Sequence, residues 1–243
     1  MCGDLGMDVG RYQAIQYIGE TITALDIFER MTICNMAAEL GAQAGLIEPD
    51  AKTAAYIGDA GSDPGDWEQF RGDDGARVAA THNFDAGALT PQVAAPHSPA
   101  NATDIANMEN VEIDQFYIGA CTGAKLNDLK MAADVLTNKK VGPGKRLTVA
   151  PASARILTQA TKLGIVETLL DAGANLLPPG CGACAGYGVG VLAEDEVCLA
   201  STARNFKGRM GASSSEVYLA SPYTVAASAV SGRITDPREV LVP

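Results

Sequence analysis

The sequence predicts an α/β fold with mostly parallel sheets, and three observations lead there. From about residue 110, short apolar runs alternate with amphipathic helical stretches, the pattern of parallel strands joined by crossover helices. Residues 10–48 carry a second, smaller set: an apolar stretch, YQAIQYIG, followed by a helical pattern. Between them, residues 57–104 are rich in Gly, Pro, Asp and Ser, the composition of an exposed connector. A chain of 243 residues can bury one substantial core or two smaller ones. The expected division is a smaller α/β domain with its connector over 1–95 and a larger α/β domain over 96–243.

Taken in order, ALDIFERMTICNMAAELGAQAG reads as a helix that Asp26 caps and Gly45 ends. The connector, GDAGSDPGDWEQFRGDDG and LTPQVAAPHSPANATD, has room for at most one strand. FYIGA is then a strand, LNDLKMAADVL an amphipathic helix, RLTVAPA a strand, and ARILTQATKLG and IVETLLDAG helices. ANLLPP, VCLASTA and EVYLASP follow as strands, and YTVAASAVSG closes as a helix. No internal repeat or low-complexity tract stands out.

Composition narrows the function. With 29 acidic against 18 basic residues the net charge is −11, which argues against nucleic acid or an anionic membrane as a partner. No apolar run approaches the length of a membrane span, and MCGDLGMDVGRYQAIQ lacks the basic start and apolar stretch of a signal peptide. Six cysteines are too few for a disulfide scaffold of this size, so reduced thiols in a cytoplasmic compartment are expected.

Three turns draw the eye. FYIGA runs into Cys121-Thr122-Gly123, ANLLPP into Gly180-Cys181-Gly182-Ala183-Cys184, and VCLASTA into a loop holding Arg204 and Arg209. Functional groups in open α/β sheets gather beyond the carboxyl ends of the strands. If these strands are parallel, all three turns open on one rim.

The pair Cys181 and Cys184 admits several readings, of which a tight turn with two buried thiols is the plainest. A thioredoxin-like dithiol opens a helix after an early strand, whereas this pair sits late, between Pro-Pro-Gly and Gly-Tyr-Gly. Structural zinc takes four Cys/His ligands, usually with a second nearby pair. The chain offers only His82 and His97, both in the connector, and no second CxxC. Adding Cys121 leaves another option: a four-iron cluster on three thiolates keeps one iron without a protein ligand, able to act as a Lewis acid on a substrate hydroxyl. Arg204 and Arg209 suit bidentate binding of carboxylates, against the plainer reading of surface salt bridges. Asn35 and Glu39, four apart on the first helix, share a face among apolar neighbours. They read either as proton-transfer groups or, more simply, as part of an inter-domain ion pair.

The blocks FYIGACTGAKLNDLKMAADVL, LLPPGCGACAGYG, CLASTARNFKGRMG and YLASPYTVAASAVSGRITDPREVL resemble the large subunits of 3-isopropylmalate dehydratases, in the aconitase superfamily. DIFERMTICNMAAELGAQAGLIEPD and LTPQVAAPHSPAN are similar to the middle region of the same family, so the resemblance covers nearly the whole chain. It implies aconitase-type α/β/α domains and a [4Fe-4S] cluster on Cys121, Cys181 and Cys184, with Cys2, Cys34 and Cys198 as non-ligands. It implies that Arg204 and Arg209 bind a substrate carboxylate, that Asn35 lies near the cluster, and that Glu39 belongs to the acid/base network. The implied reaction is dehydration and rehydration of a small dicarboxylate, interconverting 2- and 3-isopropylmalate in leucine biosynthesis.

Two departures stand out: Cys121-Thr122-Gly123 where many relatives read Cys-Thr-Asn, and Ala203 where they often carry Asn. The resemblance also implies partners. One is a small swivelling-domain subunit with a catalytic serine and another arginine. The family's N-terminal His/Asp domain is expected before this region, with a separate chain as its candidate source. Other readings are a homoaconitase- or citraconate-type component, a non-catalytic cluster-binding protein, and a dithiol redox protein. Arg204, Arg209 and Glu39 together favour a hydro-lyase, since holding a cluster requires none of them.

Overall fold

The computed structural model describes residues 1–108 and 110–241. Its contacts divide the chain into two compact units, Asp8–Leu89 and Met1–Met7 with Thr90–Pro243. After α1 (Cys2–Leu5), which belongs with the larger unit, the smaller unit runs β1 (Ala14–Gln16), α2 (Glu20–Ala24), α3 (Ile27–Asn35), β2 (Ala44–Leu46) and α4 (Ala51–Asp59). β1 and β2 pair in parallel, Ile15 opposite Gly45.

Asp26 caps α3 as expected. Its carboxylate accepts from the backbone N–H of Phe28 at 2.7 Å and of Glu29 at 2.9 Å, and Glu29 accepts in turn from the Asp26 N–H at 2.8 Å. That reciprocal box satisfies the orphan donors of the first turn. The far end departs from expectation. The α-helix stops at Asn35, tightens into a 3-10 turn over Met36–Leu40 and closes on Gly41 at φ +74°. Gly45 does not end it. That glycine lies in β2, where a Cβ would stand 2.6 Å from the Cys34 carbonyl oxygen, so a bare backbone lets β2 lie against the last turn of α3. The change of pitch also removes the shared face expected of Asn35 and Glu39. Four residues span about one turn at 3.6 residues per turn but overshoot by about a third of a turn at three.

The larger unit contributes β3 (Gln92–Ala94), β4 (Ala102–Asp104), β5 (Gln115–Ile118), α5 (Leu126–Leu136), β6 (Arg146–Val149), α6 (Ala154–Lys162), α7 (Ile165–Asp171), β7 (Asn175–Leu176), β8 (Val197–Ala200), β9 (Glu216–Leu219) and α8 (Pro222–Ser231). The sheet order is β4-β3-β9-β8-β5-β6-β7. β5 through β9 are parallel, as the α/β reading requires, with Phe116 opposite Leu147 on one side and Leu199 on the other. β3 and β4 form an antiparallel edge against β9. They make two strands where the sequence suggested at most one. Each is three residues long and only Val93 and Ala94 are buried, too little for an apolar period to show.

The core sits where the resemblance needs rigidity. Phe116, Tyr117 and Ile118 of the central strand are fully buried, as expected of a parallel strand covered on both faces. Leu129, Ala132, Val135 and Leu136 give α5 its buried face, and α5 packs on α8. α8 begins on a Ser221 cap with Pro222 in its first turn and ends on Gly232 in the left-handed region. No helix among the described residues is long and apolar enough to cross a membrane.

Candidate functional site

Because β5, β7 and β8 are parallel, the turns that follow them leave the same edge of the sheet. Cys121 follows β5, Cys181 and Cys184 follow β7, and the loop with Arg204 and Arg209 follows β8. Cys121 and Cys181 are exposed and Cys184 is partly buried. Burial pushes the Cys184 thiol up; Arg209, beside it and hydrogen-bonded to it, pulls the other way; and the thiols of Cys121 and Cys181 push it up further. Cys121, Cys181 and Arg209 thus all lie close enough to act on Cys184. Arg204 lies on the same loop, half-buried, its carbonyl accepting from the Thr202 hydroxyl at 3.5 Å.

Several buried groups fix these turns. The Ser201 hydroxyl, just past β8, accepts from the Gly119 N–H at 3.1 Å and donates to the Gly123 carbonyl at 2.9 Å, clamping the turn that carries Cys121. Lys125, 4% exposed, donates from Nζ to the Thr122 carbonyl and pairs with Asp128 at 2.8 Å. Asn205, wholly buried, donates to the carbonyls of Ala95 at 2.8 Å and Val217 at 3.1 Å, anchoring the arginine loop to β9. Cys181 begins a single 3-10 turn over Gly182–Ala185, in which the Cys184 N–H donates to the Cys181 carbonyl at 3.0 Å.

Sequence reasoning singled out the thiols and arginines but passed over Tyr117, Lys125, Ser201 and Asn205. The only available signal was position. Ser201 directly follows an apolar run and Asn205 directly follows Arg204, whereas Tyr117 read as an ordinary strand residue. Ala203, the departure beside Arg204, is buried.

Among the remaining cysteines, Cys198 is fully buried in β8 and its thiol is pushed up strongly by that burial. Cys34 and Cys2 are partly buried. Asn35 and Glu39 belong to the other unit; Glu39 is 3% exposed in its 3-10 turn.

Among the described residues no three His, Cys, Asp or Glu side chains converge tightly enough to hold one metal ion. In a cubane cluster each thiolate takes a different iron, so the sulfurs need a common rim rather than a common point. Nε of Arg209 is buried with no hydrogen-bond partner among the described residues, a donor of the kind that cluster sulfurs or a substrate carboxylate accept from.

A family profile described as the aconitase family (aconitate hydratase) matches residues 1–110 and 106–232. The chain belongs to the aconitase family. Within that family it is 44% identical over 241 residues to the 3-isopropylmalate dehydratase large subunit 2 of Archaeoglobus fulgidus, covering 99% of this chain and 58% of that protein. It is 46% identical over 239 residues to large subunit 1 of Methanopyrus kandleri, covering 98% and 57%. It is 45% identical over 238 residues to the large subunit of a Sulfurihydrogenibium species, covering 98% and 55%. This aconitase-family chain thus spans rather more than half the length of these relatives, and the match runs through both of its units.

Proposed function

We propose that this chain is the cluster-bearing component of a hydro-lyase that interconverts 2- and 3-isopropylmalate by dehydration and rehydration in leucine biosynthesis. The observation that carries the reading is that the turns bearing Cys121, Cys181 and Cys184, and Arg209 all leave one edge of a parallel sheet, with Arg209 beside Cys184. Cys121, Cys181 and Cys184 would hold a [4Fe-4S] cluster, which supplies a Lewis acid for a departing hydroxyl.

The chain's own residues would bind and orient the substrate. Arg209, held against Cys184, and Arg204 on the same loop offer forked donors to carboxylates, fixing a small dicarboxylate with its hydroxyl toward the thiol rim. Ser201 and Lys125 keep the Cys121 turn in place, so that little reorganisation accompanies binding. Glu39, with its carboxylate almost wholly out of water, is proposed as a member of the acid/base network, and Asn35 as a polar neighbour of the cluster in the assembled enzyme. Elimination of water would leave an alkene, and re-addition of water at the neighbouring carbon would complete the isomerisation.

The catalytic serine, the remaining arginine and the His/Asp groups are proposed to come from a small swivelling-domain subunit and from an N-terminal domain, supplied by other chains. The names of the relatives, all large subunits, support the small-subunit partner. The six free thiols suit a reducing compartment, the cytoplasm. Anaerobically purified chain, assayed for isopropylmalate turnover alone and with these partners, tests the proposal. Activity that appears only with partners is expected, and robust turnover by the isolated chain would overturn the division of labour.

A further inference from the structure

Tyr117 lies on the strand that leads into Cys121, yet its phenol reaches the other two thiols. The side chain is fully buried. Its hydroxyl donates to the Cys181 carbonyl at 3.4 Å and lies beside the backbone N–H of Cys184, which itself donates to that Cys181 carbonyl at 3.0 Å. The Cα of Gly182 also faces it: a Cβ there would stand 3.8 Å from the phenol oxygen. At the same hydroxyl end of the ring, a Cβ on Gly119 would lie 2.3 Å from Cε1 and 3.0 Å from the phenol oxygen, so the ring edge is pressed against the backbone just before Cys121. Ala183 and Cys184 pack in the same apolar cluster as the ring. One rigid side chain thus touches the approach to the first cysteine and both ends of the turn between the second and third.

We infer that Tyr117 is a positioning residue for the thiol triad, its hydroxyl locking the Cys181–Cys184 turn to the strand that carries Cys121. The inference deepens the cluster reading and rests on it for its functional consequence. Two short backbone segments separated by some sixty residues of chain hold a fixed distance only if something rigid spans them. An aromatic ring with two torsions, immobilised in a close-packed core, is such a spacer. Phenylalanine keeps the ring and loses the lock: the Cys181 carbonyl and Cys184 amide keep their mutual hydrogen bond but no longer have the sheet as a third partner.

The test compares the full chain with its Tyr117→Phe variant in two states. In the metal-free protein, amide exchange of the segment 181–186 should speed up by about tenfold, the loss of one buried hydrogen bond, while exchange in β5, β6 and β8 stays as in the parent. After anaerobic reconstitution with iron and sulfide, the variant should lose iron in air several times faster and show a shifted electron paramagnetic resonance signal or midpoint potential. Unchanged exchange at 181–186 would overturn the inference, as would a variant that melts globally or exchanges faster throughout the sheet. A parent chain that takes up no cluster would instead overturn the cluster reading, and the exchange arm would still decide whether Tyr117 locks the turn. A variant with faster exchange but parent-like cluster spectra and air stability would overturn the positioning role.

Discussion

Ser201 and Gly123 are fitted to one another: the serine hydroxyl donates to the glycine carbonyl at 2.9 Å, and a Cβ on Gly123 would stand 1.9 Å from the Ser201 carbonyl oxygen. The residue after Cys121-Thr122 is therefore bare for a local reason. The backbone just past β8 comes too close for any side chain at this position. Gly123→Ala is expected to destabilise the chain by about 3 kcal/mol, the upper part of the usual overpacking range. In a chain of this size that lowers Tm by roughly 6–12 °C in a thermal melt. Ser201→Ala, which strands the buried N–H of Gly119, should cost about 1–3 kcal/mol and hasten cluster loss in air.

Arg209 and Arg204 should separate substrate binding from folding. Replacing Arg209 with Lys keeps the charge but gives up the fork. In the assembled enzyme the expected result is a fall of about 10–100-fold in kcat/KM, the worth of a hydrogen bond to a charged group, with an unchanged melting curve. Arg204→Lys should act in the same direction. If both variants turn over isopropylmalate like the parent, the carboxylate-binding role fails.

The Arg30–Asp50 pair should make the smaller unit acid-sensitive. Arg30 is 4% exposed and its Nη2 bonds Asp50 at 2.7 Å; that hydrogen bond, first among several causes, holds the Asp50 carboxyl below the usual carboxylate range. A depressed pKa adds stability that is complete above the unfolded-state value of about 4 and is lost as pH falls through the folded-state value. Urea melts should therefore show the parent losing this increment below about pH 4. Asp50→Asn should already lack it at pH 7, by about 3 kcal/mol, the low end for a broken buried pair because Asp50 is one-third exposed.

The larger unit was legible in the sequence and the smaller one only partly. LNDLKMAADVL gives α5 residue for residue, because Leu129, Ala132, Val135 and Leu136 repeat at helical spacing. FYIGA, RLTVAPA and VCLASTA overlap β5, β6 and β8 because apolar runs this short fit a pleat better than a helix turn. The end of α3 was misread because Gly41 and Gly45 look alike in sequence, and only the approach of Cys34 to β2 tells a cap from a close contact. The thiols and arginines stood out as reactive types beside strand ends. The groups that hold them did not, since a buried Tyr117 or Asn205 is ordinary in composition and specific only in whom it touches.

Glu39→Gln should separate an acid/base role from a structural one. In the assembled enzyme it is expected to lower kcat by about 10²–10⁴-fold while leaving iron content unchanged. A variant with parent-like kcat would remove Glu39 from the chemistry.

The most direct measurement is iron and acid-labile sulfide content of the chain after anaerobic reconstitution, alongside Cys121→Ser, Cys181→Ser and Cys184→Ser. The account predicts about four irons and four sulfides per parent chain, partial loss of iron in air, and failure of each serine variant to retain the cluster. An iron-free chain in which Cys181 and Cys184 form a reversible disulfide would contradict it.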